Sequence, residues 1–171
     1  DHIRKRFRHL VDGGLKGSGD FGVIALGVYN GQSLNRFELN KFPHTVLRVT
    51  WPFAIGRQFL ELSTGGYYGQ FTVKLEDAKD GTKFTSTAPD HSLHDARGHV
   101  SAILYPQPLG FVFEYNAGIG PSLGRDEPTV VDSRFLHGGY LQVMSKFDHV
   151  LKTVALIPYI RAGLYEGGKK F

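Results

Sequence analysis

The chain has 171 residues, 41% of them hydrophobic, 22 glycines, no cysteine and a formal charge of +4. That size suits one region of ordinary dimensions, and the lack of cysteine excludes structural disulfides, cysteine-ligated zinc and thiol catalysis. No apolar run approaches the ~18 residues of a transmembrane helix, which leaves strand-built membrane proteins open because their residues alternate.

The chain begins at Asp1 with a basic stretch, Arg4-Lys5-Arg6-Phe7-Arg8-His9. As a strand it would put His2, Arg4, Arg6 and Arg8 on one face, a stack of guanidiniums able to grip anions; as a loose or interfacial end it would be a basic arm. Neither reading gives a nucleic-acid interface, because the other basic residues are spread over separate segments. The absence of a starting Met and of a signal pattern predicts a chain that is a piece of something larger. Next, Gly17-Ser18-Gly19-Asp20-Phe21-Gly22 fits G-x-G-x-x-G but leads into a strand, so these are turn glycines rather than a dinucleotide site.

Strands are predicted at 20–30, 43–53, 57–75, 95–105, 109–119, 134–147 and 152–166, with one more before residue 12 under the first reading. In 43–53, Leu47, Val49, Trp51 and Phe53 alternate with His44, Arg48 and Thr50. The 57–75 segment needs a bulge at Gly65-Gly66 to bring Leu60 and Leu62 onto one face with Tyr67, Phe71 and Val73. In 95–105, Val100, Ala102 and Leu104 oppose Arg97, His99 and Ser101; in 109–119, the row from Leu109 and Phe111 to Ile119 opposes Gly110, Val112, Glu114 and Asn116. From Val154 onward, Leu156, Ile160 and Leu164 oppose Tyr159, Arg161 and Tyr165. One face of each strand is therefore apolar and the other small, polar or charged.

Connectors alternate in length. Pro52–Arg57, Pro106–Pro108 and Phe147–Leu151 are hairpin-sized, whereas 31–42, 76–95 and 120–133 are long and polar. Short turns on one side and long loops on the other, joining alternating strands, predict an all-β, antiparallel up-and-down transmembrane barrel. Aromatics near strand ends, Trp51, Phe53, Tyr105, Tyr115 and Phe147, suit the interfacial girdles of such a barrel.

Two further patterns fall short of a site. Gly120-Pro121-Ser122-Leu123-Gly124 fits G-x-S-x-G, yet no helix pattern follows to make a nucleophile elbow for Ser122. His91, His94 and His99 crowd carboxylates Asp90 and Asp95, but without a helix to align the rings the segment reads as a polar loop and not a metal site. No catalytic residue and no cofactor are expected.

Val28-Tyr29-Asn30-Gly31-Gln32 with Asn35 and Arg48, then Gly66-Tyr67-Tyr68-Gly69-Gln70, Gly138-Gly139-Tyr140-Leu141-Gln142, and Pro158-Tyr159-Ile160-Arg161 leading to Tyr165-Glu166-Gly167-Gly168-Lys169-Lys170, together resemble the phosphate-selective porin O and P family from Phe21 to Phe171. The resemblance implies a sixteen-stranded, homotrimeric channel in the bacterial outer membrane for passive diffusion of anions such as phosphate or polyphosphate. Residues 1–171 would be about half of that barrel. Parity then assigns the lumen wall: Arg48, Arg97, Lys146 and Arg161 as anion contacts, Glu61 and Glu114 as opposing charges, and Tyr159 and Tyr165 as hydrogen-bonding wall. The alternative from the residues alone is a soluble β-sandwich or small barrel that binds a ligand or polysaccharide, which would bury its apolar faces inward.

Overall fold

The computed structural model describes residues 2–16, 22–32, 37, 39–73, 83–124, 127, 129–150 and 152–167. After a helix, α1 (His2–Asp12), the chain runs as β1 (Val23–Tyr29), β2 (His44–Ile55), β3 (Gln58–Thr72), β4 (Thr85–Ser86), β5 (Ser92–Leu104), β6 (Leu109–Leu123), β7 (Val130–Ser145) and β8 (Tyr159–Glu166). All form one open sheet in which consecutive long strands pair antiparallel, β1-β2-β3-β5-β6-β7-β8; only the two-residue β4 is parallel, against the start of β7.

The predicted strands are present with shifted ends. Pro52, expected in a turn, lies inside β2, beyond the point where the β1 ladder stops at Val23↔Thr50, so its missing N–H falls where β2 has no second neighbour. The turn itself is Gly56-Arg57, with Gly56 in the left-handed region at φ 59°. No bulge interrupts β3: its register with β2 runs unbroken from Ile55↔Gln58 to Thr45↔Tyr68. Tyr67, Phe71 and Val73 therefore share a face with Phe59 and Glu61, opposite Leu60 and Leu62. The long connector expected at 120–133 shrinks to 124–129, because β6 and β7 continue as a ladder to Leu123↔Val131. Conversely the β7–β8 connection is longer than a hairpin, spanning 146–158 with one bridge, Phe147↔Leu156.

The basic N-terminal stretch is a helix and not a strand. Its two-residue arginine spacing concealed an apolar stripe, Phe7, Leu10 and Val11, at i, i+3 and i+4. The helix ends in a Schellman motif: Leu15 N–H donates to the Leu10 carbonyl, Gly14 N–H to Val11, and Gly14 takes the left-handed φ of 69°.

Ladder parity fixes which side chains share a face. Arg48, Glu61, Asp95, Arg97, Glu114, Asp132, Arg134 and Arg161 all fall on one face; of the charged residues in the long strands only Glu166, near the end of β8, falls on the other. The charged face is concave, since a single cavity on it is lined by Arg48 of β2 and Tyr165 of β8. In a flat sheet those strands would lie ~24 Å apart. The convex face carries Ile24, Leu26, Leu47, Trp51, Phe53, Leu62, Val100, Phe113, Phe135, Leu141, Val143, Ile160 and Leu164, all exposed.

Buried apolar clusters are small and sit at opposite ends of the concave side. Phe7, Leu10, Phe59 and Tyr105 form one beside the short turns, under α1; Val73 and Leu93 of the other lie beside the long connectors, joined there by Val131, which has the parity of the convex face. Between them the concave face is polar. Tyr105, expected among interfacial aromatics, is only 6% exposed and points inward, and Tyr115 lies mid-strand on the convex face, its hydroxyl 2.9 Å from His137 Nδ1.

Candidate functional site

The concave face holds three clusters built alike, each joining a carboxylate, a phenol from another segment of the chain and a cation. In the first, the Asp95 Oδ1 of β5 accepts from Tyr67 Oη of β3 at 3.0 Å and from Arg97 Nε at 3.2 Å, while His44 Nε2 of β2 lies 3.5 Å from Oδ2. In the second, Glu114 of β6 accepts from Asn116 Nδ2 at 3.0 Å and from Tyr140 Oη of β7 at 3.4 Å, and the Arg161 guanidinium of β8 stacks on the Tyr140 ring at 4.4 Å. In the third, Glu61 pairs with Lys16, and Tyr105 Oη donates to it at 3.5 Å. A carboxylate held this way is satisfied at fixed positions, and the neighbouring cation is oriented along the wall instead of swinging freely.

Glycines make room for these side chains. His44 is 1% exposed, its ring between those of Tyr29 and Tyr67 at 5.3 Å from each. A Cβ at Gly69 would lie 2.6 Å from that ring, and one at Gly31 only 1.7 Å from its Nδ1. The large ring of His44 on β2 thus occupies the space that Gly69 on β3 and Gly31 just past β1 leave.

A cavity of about 680 Å³ opens between the first two clusters, lined by Arg48, Arg97, His99, Tyr67, Asn116, Tyr140 and Tyr165. It brings together three of the residues that parity assigned to the wall, Arg48, Arg97 and Tyr165. Arg48 is braced by Ser63, whose Oγ lies 3.3 Å from its Nε and also accepts from Thr50 Oγ1 at 3.0 Å. Arg161 shares the face but is held by Gln142 Oε1, at 2.9 Å from Nε and 2.6 Å from Nη2. Tyr159 lies on the same side of the exposed strand β8. Glu61 and Glu114 are engaged as described above. Lys146 is elsewhere: it lies past the end of β7 at the short-turn end, its Nζ 2.9 Å from Asp148 Oδ1.

His99, Asp95, Tyr67, Tyr140 and Asn116 belong to this wall and were not among the expected contacts. His99 and Asn116 have the parity of Arg97 and Glu114, so the signal was present. Asp95 stands where the expected connector 76–95 meets the expected strand 95–105, whereas β5 already starts at Ser92 and places it firmly in the ladder. The same early start separates the histidine cluster: His94 faces the convex side, 3.1 Å from Tyr68 Oη, whereas His99 faces the concave one. No group of three metal-ligating side chains occurs among the described residues. Ser122 lies in the β6–β7 ladder opposite Asp132, with no strand-to-helix turn to expose its hydroxyl.

Comparison with protein-family models, with curated proteins and with solved structures finds no match for the chain.

Proposed function

We propose that this chain is part of an outer-membrane β-barrel porin, similar to the phosphate-selective porin O and P family, that lets small anions diffuse through a water-filled lumen. The observation that carries the reading is the segregation of the two faces. The long strands direct every Arg and Asp they carry to the concave side, while the convex side exposes an apolar surface across every one of them. That surface is on the order of 700 Å² from strand spacing and rise alone, more than soluble monomers ordinarily leave open to water. A soluble sandwich would cover it; lipid covers it in a transmembrane barrel.

The exposed flanks of β1 and β8 are the places where further strands of the intact protein pair to close the barrel. The concave clusters are then the lumen wall. Arg48, Arg97, His99 and Arg161 offer N–H donors to a passing oxyanion in place of part of its water shell. Their braced geometry and the nearby carboxylates keep binding weak enough for release. The long connectors face the cell exterior and the short turns the periplasm, and the assembly is the homotrimer that the family resemblance implies.

The test is the reversal potential of the intact channel in a salt gradient. Arg48→Glu, Arg97→Glu and Arg161→Glu should each move it toward cation selectivity, most strongly at low ionic strength, where screening lengths are long. Three unaltered reversal potentials would rule out the anion-conducting wall.

A further inference from the structure

Helix α1 sits on the concave side at the end where the short turns lie. Phe7 and Leu10 are fully buried against the inward-facing Phe59 and Tyr105, the Phe7 and Phe59 rings 4.8 Å apart, and Lys16 beyond the helix pairs with Glu61. A helix with its side chains is ~10–12 Å across, and in this seat it overhangs the concave face at its short-turn end. Beside it remains a cavity of about 750 Å³, with Lys5 and His9 on the helix side and Arg57 and Lys146 on the sheet side. Asp148, the carboxylate in that lining, is already paired with Lys146. Among the described residues Lys5, His9 and Arg57 have no ion-pair partner.

We propose that α1 is an internal plug that narrows the channel at its short-turn mouth and that Lys5 and His9 on it set charge selectivity there. The inference rests on the porin reading. A solute reaching this end has to pass between the helix and the rim, through a gap with cations on both sides. The apolar face of α1 fixes how wide that gap is, and its basic face decides which sign of charge crosses it. The two roles lie on different residues and can be separated.

The experiment is single-channel recording of the intact protein in planar bilayers. Phe7→Asp with Leu10→Asp removes the docking contacts and should raise conductance roughly twofold or more, since a body ~10–12 Å wide leaves the mouth. Lys5→Glu with His9→Glu keeps the docking contacts and should leave conductance near that of the parent while moving the reversal potential toward cation selectivity. If the undocked protein fails to insert, the charge-reversal pair decides alone. A parent channel whose conductance and selectivity neither pair alters overturns the plug and leaves the porin reading standing; a parent that forms no channel overturns both.

Discussion

An arginine placed on the convex face distinguishes a lipid-covered wall from a water-covered one. Leu141 lies in the short-turn half of β7, paired with Phe113 and Ala162, and is 48% exposed. Replacing a half-buried leucine with alanine forfeits ~1 kcal/mol of apolar burial in either environment. Leu141→Arg adds a charge, which costs a further ~2–4 kcal/mol on the lipid side of a barrel near mid-depth, whereas on a water-exposed surface such a change is within about 0.5 kcal/mol. The difference between Leu141→Arg and Leu141→Ala, measured by equilibrium unfolding of the intact protein from phospholipid vesicles, isolates that second quantity. A change of ~2–4 kcal/mol corresponds to roughly 30- to 1000-fold in the unfolding equilibrium. Ser101→Arg supplies the contrast: Ser101 is concave, directly opposite Glu114 in the ladder, and its replacement should cost much less. Equal stability of Leu141→Arg and Leu141→Ala would refute the assignment of this face to lipid.

Other consequences follow from particular contacts. Gly69→Ala forces a methyl to within 2.6 Å of the His44 ring and should destabilise by ~1–3 kcal/mol; the loss should be largely relieved when His44→Ala is combined with it, read as a non-additive double-mutant cycle. Asp95→Asn removes the carboxylate that pairs with Arg97, so anion selectivity of the intact channel should increase, measured by reversal potential; a shift toward cations would show that Asp95 does not offset the Arg97 charge. In intact cells a membrane-impermeant thiol reagent should label Glu127→Cys, in the β6–β7 connection, and spare Gln107→Cys, in the β5–β6 turn; the reverse pattern would invert the proposed topology.

Strand positions and facing were legible because a ladder has a strict two-residue period and a charge is costly on an apolar face, so Arg48, Glu61, Arg97, Glu114 and Arg161 could be assigned by parity alone. Parity misled where a second element covers the concave side. Tyr67, Phe71 and Val73 change face relative to Leu60 and Leu62 without any bulge, because the concave side becomes partly apolar near the long connectors, where Val73 packs with Leu93. Helix α1 escaped because arginines at two-residue spacing satisfy a strand pattern while Phe7, Leu10 and Val11 satisfy a helical one, and only the docking surface of Phe59 and Tyr105 decides between them. The carboxylate–phenol–cation clusters join residues far apart in the chain, such as Glu61 with Tyr105, and the spaces at Gly31 and Gly69 acquire meaning only from the ring of His44. Such pairings depend on register, which a single strand's pattern does not contain.

Trp51 gives the most direct measurement. It is the only tryptophan of the chain, lies on the convex face of β2 and is 49% exposed. In the intact protein, with Trp51 as sole tryptophan and folded into vesicles, its fluorescence should be strongly quenched by lipids brominated on their acyl chains and little affected by aqueous iodide. Quenching by iodide with indifference to brominated lipid would place this face in water and contradict the account.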